Sequence, residues 1–597
     1  MSNINVFALV RTHTIYMGVP GFFAWLLKTH KNDQFIFNNI NKTVSSLYID
    51  ANCLFHPRCF KVLSELTDEK DIDKLEDAMI ENIINYTSDI IDFVCPQDLV
   101  YIAVDGVAPL AKISQQRKRR FRSVQDRDIY ESIKNKYNKP NNGVWTNTVI
   151  TPGTCFMEKL HIRLIEYCET RKKKSKCNII YSSYHSPGEG EHKILQHIKC
   201  KKKLTNKVNI VYGLDADLFF LTIASEIQNI YLLREESHIQ NRENSDSENL
   251  CYVSIDKTKE GFNKMMHKLL KEKIDNIDKY NENFCVDDID FCDDFIFICY
   301  LLGNDFLPHF PSIDIKKNGL DIVIDSYCDT FLYYKKNLLC RKNAKIHINN
   351  EIFCDFIREL SNREENFFKF VLPEYENRKK RKKCFSRDKY EIEIWNIDNM
   401  MNIDINDPIK IGKGDLHDYK FRYYEHYFHT TYYQQETIND VCKNYLEGLK
   451  WVTEYYFDKC CNWKWQYKYN HAPFISDIYL YMLNNNININ IDVNIYDEKN
   501  GGPIDCFTQL LCVIPPKCSN ILPKNMRYLI TSIESPVIDM FPTYITLDCI
   551  NKDQFWQCIP NVPYLDVNRI EQSIVNIKHD NNENSRNKIL DEFLFKK

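Results

Sequence analysis

The chain has 597 residues, of which 44% are hydrophobic and 27% charged, so it holds enough apolar material for several domains or one large core. Its formal net charge of −4 excludes a uniformly basic nucleic-acid binder and requires any site for a polyanion to be local. No apolar run is long enough to cross a membrane, and the first 16 residues lack a secretory signal. The 23 cysteines include no Cys-x-x-Cys pair, which favours reduced thiols in an intracellular protein of the cytoplasm or nucleus.

The first folded segment begins at Met17. The stretch MGVPGFFAWLLKTH predicts a tight turn that leads into a short apolar helix, and residues 1–16 are expected to be an N-terminal extension. The stretch SLYIDANCLFH then predicts a buried strand that ends at Asp50, and the pattern of Ile72–Val94 predicts an amphipathic helix. A second apolar strand, LVYIAVDGVAP, carries Asp105 at its end. Two such strands with a helix between them indicate a parallel α/β sheet.

Two pairs of carboxylates give the strongest chemical signal. Glu189 and Glu191 come after the apolar run IIYSS, and an apolar helical pattern follows them. Asp215 and Asp217 come after the run VNIVYG, and an apolar helical pattern follows them as well. In a parallel sheet, ligands gather beyond the carboxyl ends of the strands. A helix N-cap needs one acid and not two, so the pairs favour a hard cation such as Mg²⁺ or Mn²⁺ over simple capping.

A basic helical face follows these strand ends in the predicted fold. Because a parallel sheet puts all its strand ends on one edge, Asp50 and Asp105 are expected beside the two acid pairs. After Asp105 come four residues with spacings of 4, 3 and 1, namely Lys112, Gln116, Arg119 and Arg120. On a helix they share one side, which suits a phosphate close to a metal. A solvated charged face is the alternative interpretation.

The middle of the chain is less regular. Residues 236–290 are polar and poorly patterned, so we expect insertions there. An apolar helix over Asp293–Leu302 is broken by Gly303, and Asp305 in the following loop is a further candidate acid. The basic run at 378–383 is interpreted as a solvated loop, with a nuclear localisation signal or a nucleic-acid patch as alternatives.

A second folded region is predicted at 415–576. It follows a charged, aromatic stretch at 331–414, which is expected to be a linker or an insertion. Within it, Trp463 and Trp465 alternate with a lysine beside two tyrosines, a pattern that suits the stacking of single-stranded bases but also suits a packed core. Residues 577–597 are expected to be a frayed polar tail.

These motifs occur together in one known family. MGVPGFFAWL, DGVAP with AKISQQRKRRFR, PGEGEHK, YGLDADL and GNDFLPH resemble the N-terminal conserved region of the Xrn-family 5′→3′ exoribonucleases. GLKWVTEYYF, NWKWQYKYNHAPFISD and SPVIDMFP are similar to that family's second conserved region. The resemblance implies a PIN/flap-nuclease-like α/β domain at 17–330 and a mostly helical second region that closes the active site. The chain resembles a minimal catalytic core that lacks the long C-terminal domains of some members.

The resemblance also implies roles for individual residues. Two divalent cations, Mg²⁺ or Mn²⁺, would be held by seven acids, namely Asp50, Asp105, Glu189, Glu191, Asp215, Asp217 and Asp305. A pocket for a 5′-phosphate would be formed by Lys112, Gln116, Arg119 and Arg120. His56 would stack on the terminal base together with either Trp463 or Trp465.

The expected function is processive hydrolysis of 5′-monophosphorylated single-stranded RNA to nucleoside 5′-monophosphates, in RNA decay and by a monomer. One alternative is a flap-type, structure-specific endonuclease, which would share the acids but cut branched DNA internally. The other is a non-catalytic RNA-binding scaffold. The basic helical face and the tryptophan-rich region argue against the first alternative, and the intact set of acids argues against the second.

Overall fold

A computed structural model of the protein describes most of the chain. The described residues are 35–66, 69–139, 145–200, 207–215, 217–235, 249–275, 285–343, 345–379, 382–401, 403–431, 434–496 and 502–596. The predicted N-terminal extension and the apolar helix predicted after Met17 fall within 1–34 and so lie outside the described residues. Of the helices that are described, none combines the length and the apolar character needed to span a membrane.

The N-terminal part alternates strands with helices. Its described elements are β1 (Ile36–Phe37), β2 (Val44–Asp50), α1 (Ala51–Glu65), α2 (Ile72–Val94), β3 (Leu99–Ala103), α3 (Leu110–Lys136), α4 (Cys155–Lys174), β4 (Asn178–Ser182), α5 (Gly190–Cys200), β5 (Val208–Tyr212), α6 (Asp217–Ala224), β6 (Ile230–Glu235), β7 (Leu250–Ser254), α7 (Ile255–Asp275) and α8 (Cys292–Cys299).

The C-terminal part is mostly helical. Its described elements are α9 (Gly319–Tyr334), β8 (Leu339–Lys342), β9 (Lys345–Ile348), α10 (Asn350–Asn366), α11 (Leu372–Lys379), α12 (Lys389–Asp398), α13 (Leu416–Phe428), α14 (Gln435–Phe457), α15 (Ile475–Asn484), α16 (Cys506–Val513), α17 (Tyr528–Thr531), β10 (Thr546–Asp548), β11 (Ile559–Asn561), α18 (Val567–Ile574), α19 (Asn581–Arg586) and β12 (Phe593–Phe595).

One mixed, mostly parallel sheet organises the described residues. Its eight strands lie in the order β1-β7-β6-β5-β2-β3-β4-β12. The neighbours from β6 to β4 pair in parallel, whereas β7, β1 and β12 pair antiparallel at the two sides. Every residue of β2, β3 and β5 is buried, which explains why these strands are continuous apolar runs and do not alternate. The predicted α/β class is confirmed.

The register of the central strands aligns their carboxyl ends. Asp50 pairs with Ala103 of β3, and Ala103 pairs with Ser182 of β4. On the other side, Ile49 pairs with Tyr212 of β5. The loops that follow β2, β3, β4 and β5 therefore begin at the same edge of the sheet, where ligands of open α/β sheets bind.

The helix predicted over Ile72–Val94 forms with the same bounds, as α2. Asp71 caps it by accepting hydrogen bonds from the backbone amides of Asp73 and Lys74. At the other end, Cys95 adopts a left-handed conformation that terminates the helix.

Part of the predicted insertion at 236–290 belongs to the sheet. β7 pairs antiparallel with β6, and α7 buries Phe262, Met266 and Leu270 in the core. These apolar side chains recur every four residues, but the charged residues around them hide the pattern in the sequence.

Part of the stretch 331–414, which we expected to be a linker or an insertion, packs against the core. Strands β8 and β9 form a hairpin, and α10 buries Phe353, Phe356 and Ile357. Asp294 secures the hairpin by accepting hydrogen bonds of 2.7 Å from the amides of Leu338 and Leu339. The position of Asp294 in the first turn of α8 by itself predicts only a favourable charge at a helix N-terminus, so this long-range contact cannot be inferred from the sequence.

The C-terminal segment, which we expected to fray as a polar tail, adds a strand to the sheet. β12 pairs antiparallel with β4, with Phe593 opposite Tyr181. Upstream of it, the carbonyl oxygens of Lys588 and Leu590 lie 2.7 Å from His185 Nδ1 and 2.8 Å from Ser186 Oγ. A three-residue strand is too short to be recognised from its sequence.

The C-terminal part also braces α3. Arg117, buried on this helix, donates hydrogen bonds to the carbonyl oxygens of Cys512 and Met540. The amide of Ala108, just before the helix, donates to Gln509 Oε1 at 2.8 Å. The helix that carries the predicted basic face is therefore positioned by residues about 400 places further along the chain.

Candidate active site

The predicted acids lie at the aligned strand ends. Asp50 is the last residue of β2, and Asp105 lies two residues beyond β3. The other strand-end acids occupy the loop after β4, the first turn of α5, the loop after β5 and the start of α6, and they are Glu189, Glu191, Asp215 and Asp217. Asp305 lies in the loop beyond α8.

These carboxylates are close enough to perturb one another. Burial raises the pKa of Asp50 well above its usual range, and the charges of Asp105, Asp215 and Glu189 raise it further. Burial likewise raises the pKa of Asp217 strongly, with Asp305 as the largest charged contributor. Since like charges at this density disfavour ionisation, the cluster needs a positive counter-charge to be fully ionised.

A glycine permits this crowding. The amide of Gly190 donates a hydrogen bond of 2.7 Å to Asp105 Oδ1. A Cβ atom at this position would lie 2.7 Å from Asp50 Oδ1 and 3.4 Å from Asp105 Oδ1. Any larger residue would therefore push the two carboxylates apart.

The acids fit a hard divalent cation. Three buried oxygens accept no hydrogen bond from the described residues, namely Asp50 Oδ1, Glu191 Oε2 and Asp217 Oδ1. Asp50, Cys53 and Asp215 each offer a ligand atom, and these atoms all lie within 4.8 Å of one another. Buried acceptors without donors are the groups that Mg²⁺ or Mn²⁺ would satisfy.

Lys112 supplies one positive charge to this cluster. Its ammonium lies 2.5 Å from Glu189 Oε2 and 2.7 Å from Asp305 Oδ2. Burial alone would lower the pKa of Lys112, but the charges of Asp305 and Glu189 outweigh burial and raise it well above its usual value. The sequence predicted Lys112 to be a phosphate ligand. In the structure its ammonium instead contacts two of the acids, at the boundary between the acid cluster and the basic face.

The rest of the basic face lies beside His56. Burial and the charges of Arg119 and Arg120 lower the pKa of His56 to about 4, so the imidazole is neutral at neutral pH. The side chains of Gln116 and Arg120 each bury a polar atom, Oε1 and Nη1 respectively, that has no hydrogen-bond partner in the described part of the chain. Of these two atoms, Arg120 Nη1 is a donor and is available for an anion, whereas Gln116 Oε1 is an acceptor.

The two predicted stacking tryptophans differ in exposure. Trp465 is buried and stacks on Trp451, with ring centroids 5.3 Å apart. Trp463 is partly exposed, and its carbonyl oxygen accepts a hydrogen bond of 2.8 Å from the amide of Leu110 at the start of α3. Of the pair, Trp463 is therefore the better candidate for stacking on an incoming base.

Several residues around the acids were not assigned from the sequence. Asn52 brackets Asp105, since its Nδ2 donates to Asp105 Oδ2 at 2.9 Å and its Oδ1 accepts from the Asp105 amide at 3.1 Å. The thiol of Cys53 donates to Asp50 Oδ2 at 2.8 Å. Both residues follow Asp50 within one helical turn, and this closeness in sequence is the feature that could have indicated a place near the acids.

Two tyrosines of α14 also reach the acids. The hydroxyl of Tyr455 donates a hydrogen bond to Glu189, and that of Tyr456 interacts with Asp217. Their sequence context is an apolar helix, which predicts core packing and carries no sign of a role at the acid cluster.

Comparison with known families agrees with this architecture. Residues 17–236 match the family model described as the XRN 5′-3′ exonuclease N-terminus. Residues 286–400 and 373–597 match the model described as the Xrn1 helical domain. The two matches correspond to the sheet domain and to the mostly helical C-terminal part.

Individual relatives cover most of this chain at low identity. The chain is 28% identical to 5′-3′ exoribonuclease 1 of Homo sapiens, over 94% of this chain and 34% of the relative. It is 27% identical to 5′-3′ exoribonuclease 2 of Debaryomyces hansenii, over 97% of this chain and 72% of the relative. It is also 27% identical to 5′-3′ exoribonuclease 1 of Schizosaccharomyces pombe, over 93% of this chain and 48% of the relative. The chain thus spans about a third to three quarters of these relatives and belongs to the Xrn family of 5′-3′ exoribonucleases.

Proposed function

We propose that this protein hydrolyses single-stranded RNA processively from a 5′-monophosphorylated end and releases nucleoside 5′-monophosphates. The observation that carries the proposal is the position of Lys112, which joins the acid cluster to the basic face on one helix. A 5′-phosphate held on that face would place the first phosphodiester bond at the acids. Bonds further along the strand would lie away from the acids.

The basic face would select the 5′ end. Gln116, Arg119 and Arg120 would donate hydrogen bonds to the terminal phosphate, with the two arginines giving paired donors. A 5′-triphosphate or a cap would be disfavoured by its size and by charge outside the reach of these donors. A 5′-hydroxyl would leave the donors unpaired.

The first base would be held between His56 and Trp463. A neutral imidazole and a partly exposed indole both offer a flat face, and stacking on such faces tolerates any base. A slot of this kind admits unpaired bases only, so a duplex would have to open before it enters.

The acids would hold two divalent cations, Mg²⁺ or Mn²⁺. The chemistry supplied by the bound cations would be activation of the attacking water and stabilisation of the leaving 3′-oxygen. Lys112 would keep part of the acid charge neutralised, and Tyr455 would fix the orientation of Glu189 by its hydrogen bond.

The proposal places the enzyme as a monomer in a reducing compartment, the cytoplasm or the nucleus. The support is that all 23 cysteines carry free thiols, and that several lie in the buried core.

A time course with three matched 3′-labelled RNAs tests this function. They carry a 5′-monophosphate, a 5′-triphosphate or a 5′-hydroxyl, and each is incubated with Mg²⁺, with Mn²⁺ and with a chelator. We expect only the monophosphorylated RNA to be consumed, only with metal and without internal fragments. Equal consumption of all three, or discrete internal cuts, would indicate an endonuclease; tight binding without cleavage would indicate a scaffold.

A further inference from the structure

A large cavity lies on the opposite side of α3 from the basic face. It has a volume of about 810 Å³, which is in the range of roughly 300–1,000 Å³ that is usual for small-molecule sites. The wall on α3 is formed by Ser114, Arg117 and Lys118. At 3.6 residues per turn, these positions lie on the other side of the helix from the basic face. The remaining walls come from the helical part of the chain, chiefly from residues 403–406, 467–471, 547–550 and 561–565.

Two lysines of the cavity have no acidic partner. No hydrogen bond or ion pair to the ammonium of Lys118 or of Lys468 is found within the described ranges, although both residues line the cavity. Lys118 is half-buried, and burial lowers its pKa to about 8, which reflects the cost of a desolvated charge without a counter-ion. An anion placed between the two lysines would remove that cost.

Two acids also line the wall, but neither makes an ion pair with Lys118 or Lys468 within the described ranges. Asp548 is fully engaged, since it accepts hydrogen bonds from the hydroxyl of Tyr427 and from His471 Nε2, both at 2.9 Å, and from the amide of Ile550 at 3.0 Å. The other acid of the lining, Asp404, is exposed on the solvent side. Because the lining holds three cationic side chains, Arg117, Lys118 and Lys468, against these two acids, it keeps a positive formal charge.

Flat rings form much of the remaining wall. Tyr427 and His471 stack, with ring centroids 3.5 Å apart and planes 17° apart. Tyr467 and Tyr469 pack edge-on at 5.6 Å, and Tyr564 at the rim is 52% exposed. Tyr467, Tyr469 and His471 belong to the motif WKWQYKYNH, and none of them contributes to the proposed acid site.

We propose that this cavity is a second binding site, for a nucleotide unit whose phosphate pairs with Lys118 and Lys468 and whose base stacks on the tyrosines. Lysines without partners beside aromatic walls are the combination that recognises phosphate and base together. The unit is either a free nucleoside monophosphate or one nucleotide of an RNA strand. The site is distinct from the proposed 5′-phosphate pocket and goes beyond the proposed exonuclease function.

Calorimetric titration of the full-length protein with adenosine 5′-monophosphate tests the site. The Arg119→Ala variant serves as the background, so that the proposed 5′-phosphate pocket is weakened. We expect binding in this background, and we expect Lys118→Gln added to it to weaken the affinity at least tenfold. Lys524→Gln, an exposed lysine remote from the cavity lining, is the matched control and should bind as the background does.

Tyr564→Leu provides a second test at an exposed rim residue, whose replacement leaves the buried core intact. It should also weaken the affinity, because it removes a stacking face. If the background protein does not bind the nucleotide, or if Lys118→Gln binds as tightly as Lys524→Gln, the cavity is not a nucleotide site. Neither result bears on the time course that tests the exonuclease function, so the two proposals fail independently.

A cross-linking arm separates the two sources of the nucleotide. A 5′-hydroxyl RNA carrying 4-thiouridine is irradiated with the Arg119→Ala protein, and the modified peptides are mapped. Cross-links to the peptide that contains Tyr564, suppressed by adenosine 5′-monophosphate, would identify an RNA strand as the occupant. Nucleotide binding without such cross-links would identify a free nucleotide. The absence of both would overturn the proposal.

Discussion

The hydroxyl of Tyr455 donates a hydrogen bond to the carboxylate of Glu189, across 266 positions of the chain. Tyr455 belongs to α14 in the helical part, and Glu189 lies in the loop after β4 in the sheet domain. The acid cluster is therefore completed by a residue from outside the domain that supplies its carboxylates. This contact gives the helical part a direct role in the geometry of the proposed catalytic site.

Removing only this hydroxyl should slow the reaction. Tyr455→Phe keeps the ring, which stacks on Trp451 at 4.7 Å, but frees Glu189 to rotate. A hydrogen bond to a charged group is worth about 1.5–3 kcal/mol, so we expect kcat to fall about tenfold or more with little change in KM. Steady-state kinetics with the monophosphorylated RNA measure this.

The control is Tyr423→Phe. Tyr423 is also buried and donates a hydrogen bond of 2.7 Å, but to the carbonyl of Ala472, away from the acids. It should lower Tm without lowering kcat. If both variants lose the same activity, or if Tyr455→Phe keeps full kcat, the hydroxyl does not position Glu189.

Removing one arginine of the basic face should relax the choice of 5′ end. A charge-assisted hydrogen bond to a phosphate is lost in Arg119→Ala, so the ratio of kcat/KM for 5′-monophosphate over 5′-hydroxyl RNA should fall by about tenfold to a hundredfold. Arg127→Ala is the control, because Arg127 lies on the same helix but contacts Thr146. An unchanged ratio in Arg119→Ala would remove this residue from the pocket.

The sheet and its acids were accessible from the sequence for a physical reason. Parallel strands buried on both faces are apolar runs that are easily recognised, and the acids that follow them, such as Asp50 and Asp105, can only meet at the carboxyl edge. The helix bounds of α2 were accessible because the capping residue Asp71 and the apolar periodicity coincide.

The contacts that connect distant parts of the chain were not accessible. The lysine predicted for the phosphate, Lys112, is drawn to Glu189 and Asp305, and this depends on how α3 is braced from the C-terminal part. The apolar residues of β12 and of α10 were hidden in polar surroundings, because periodicity reports a local pattern and not a tertiary partner.

The half-buried imidazole of His56 should make the fold sensitive to acid. The pKa of His56 is about 4 in the folded protein and about 6.5 in the unfolded chain. Between these two values the unfolded chain binds a proton at His56 and the folded protein does not. The stabilisation is complete above pH 6.5 and is lost as the pH falls towards 4. We expect wild type to lose about 2 kcal/mol more than His56→Gln between pH 7 and pH 5.

Urea unfolding at the two pH values measures this difference. The His56→Gln variant carries a neutral side chain at both values, so it reports the contribution of all other groups. An equal loss of stability in the two proteins would show that His56 is protonated as readily in the folded state as in the unfolded chain.

The C-terminal strand should support the loop that carries Glu189. The segment before β12 holds His185 and Ser186 through backbone carbonyls, four and three residues before Glu189. Deleting residues 588–597 should lower Tm by a few degrees and kcat several-fold, because this loop loses its partners. Deleting only residues 596–597, which leaves β12 intact, should change neither, and a normal kcat after the longer deletion would contradict the proposed support.

The most direct measurement of the central claim is product analysis with a 5′-labelled, monophosphorylated RNA in the presence of Mg²⁺. Wild type should release the label only as a mononucleotide, from the earliest time point. Asp215→Asn should release none while still binding the RNA, and Asp98→Asn, at the opposite edge of the same sheet, should behave as wild type. Labelled fragments longer than one nucleotide, or undiminished cleavage by Asp215→Asn, would contradict a 5′→3′ exoribonuclease built on these acids.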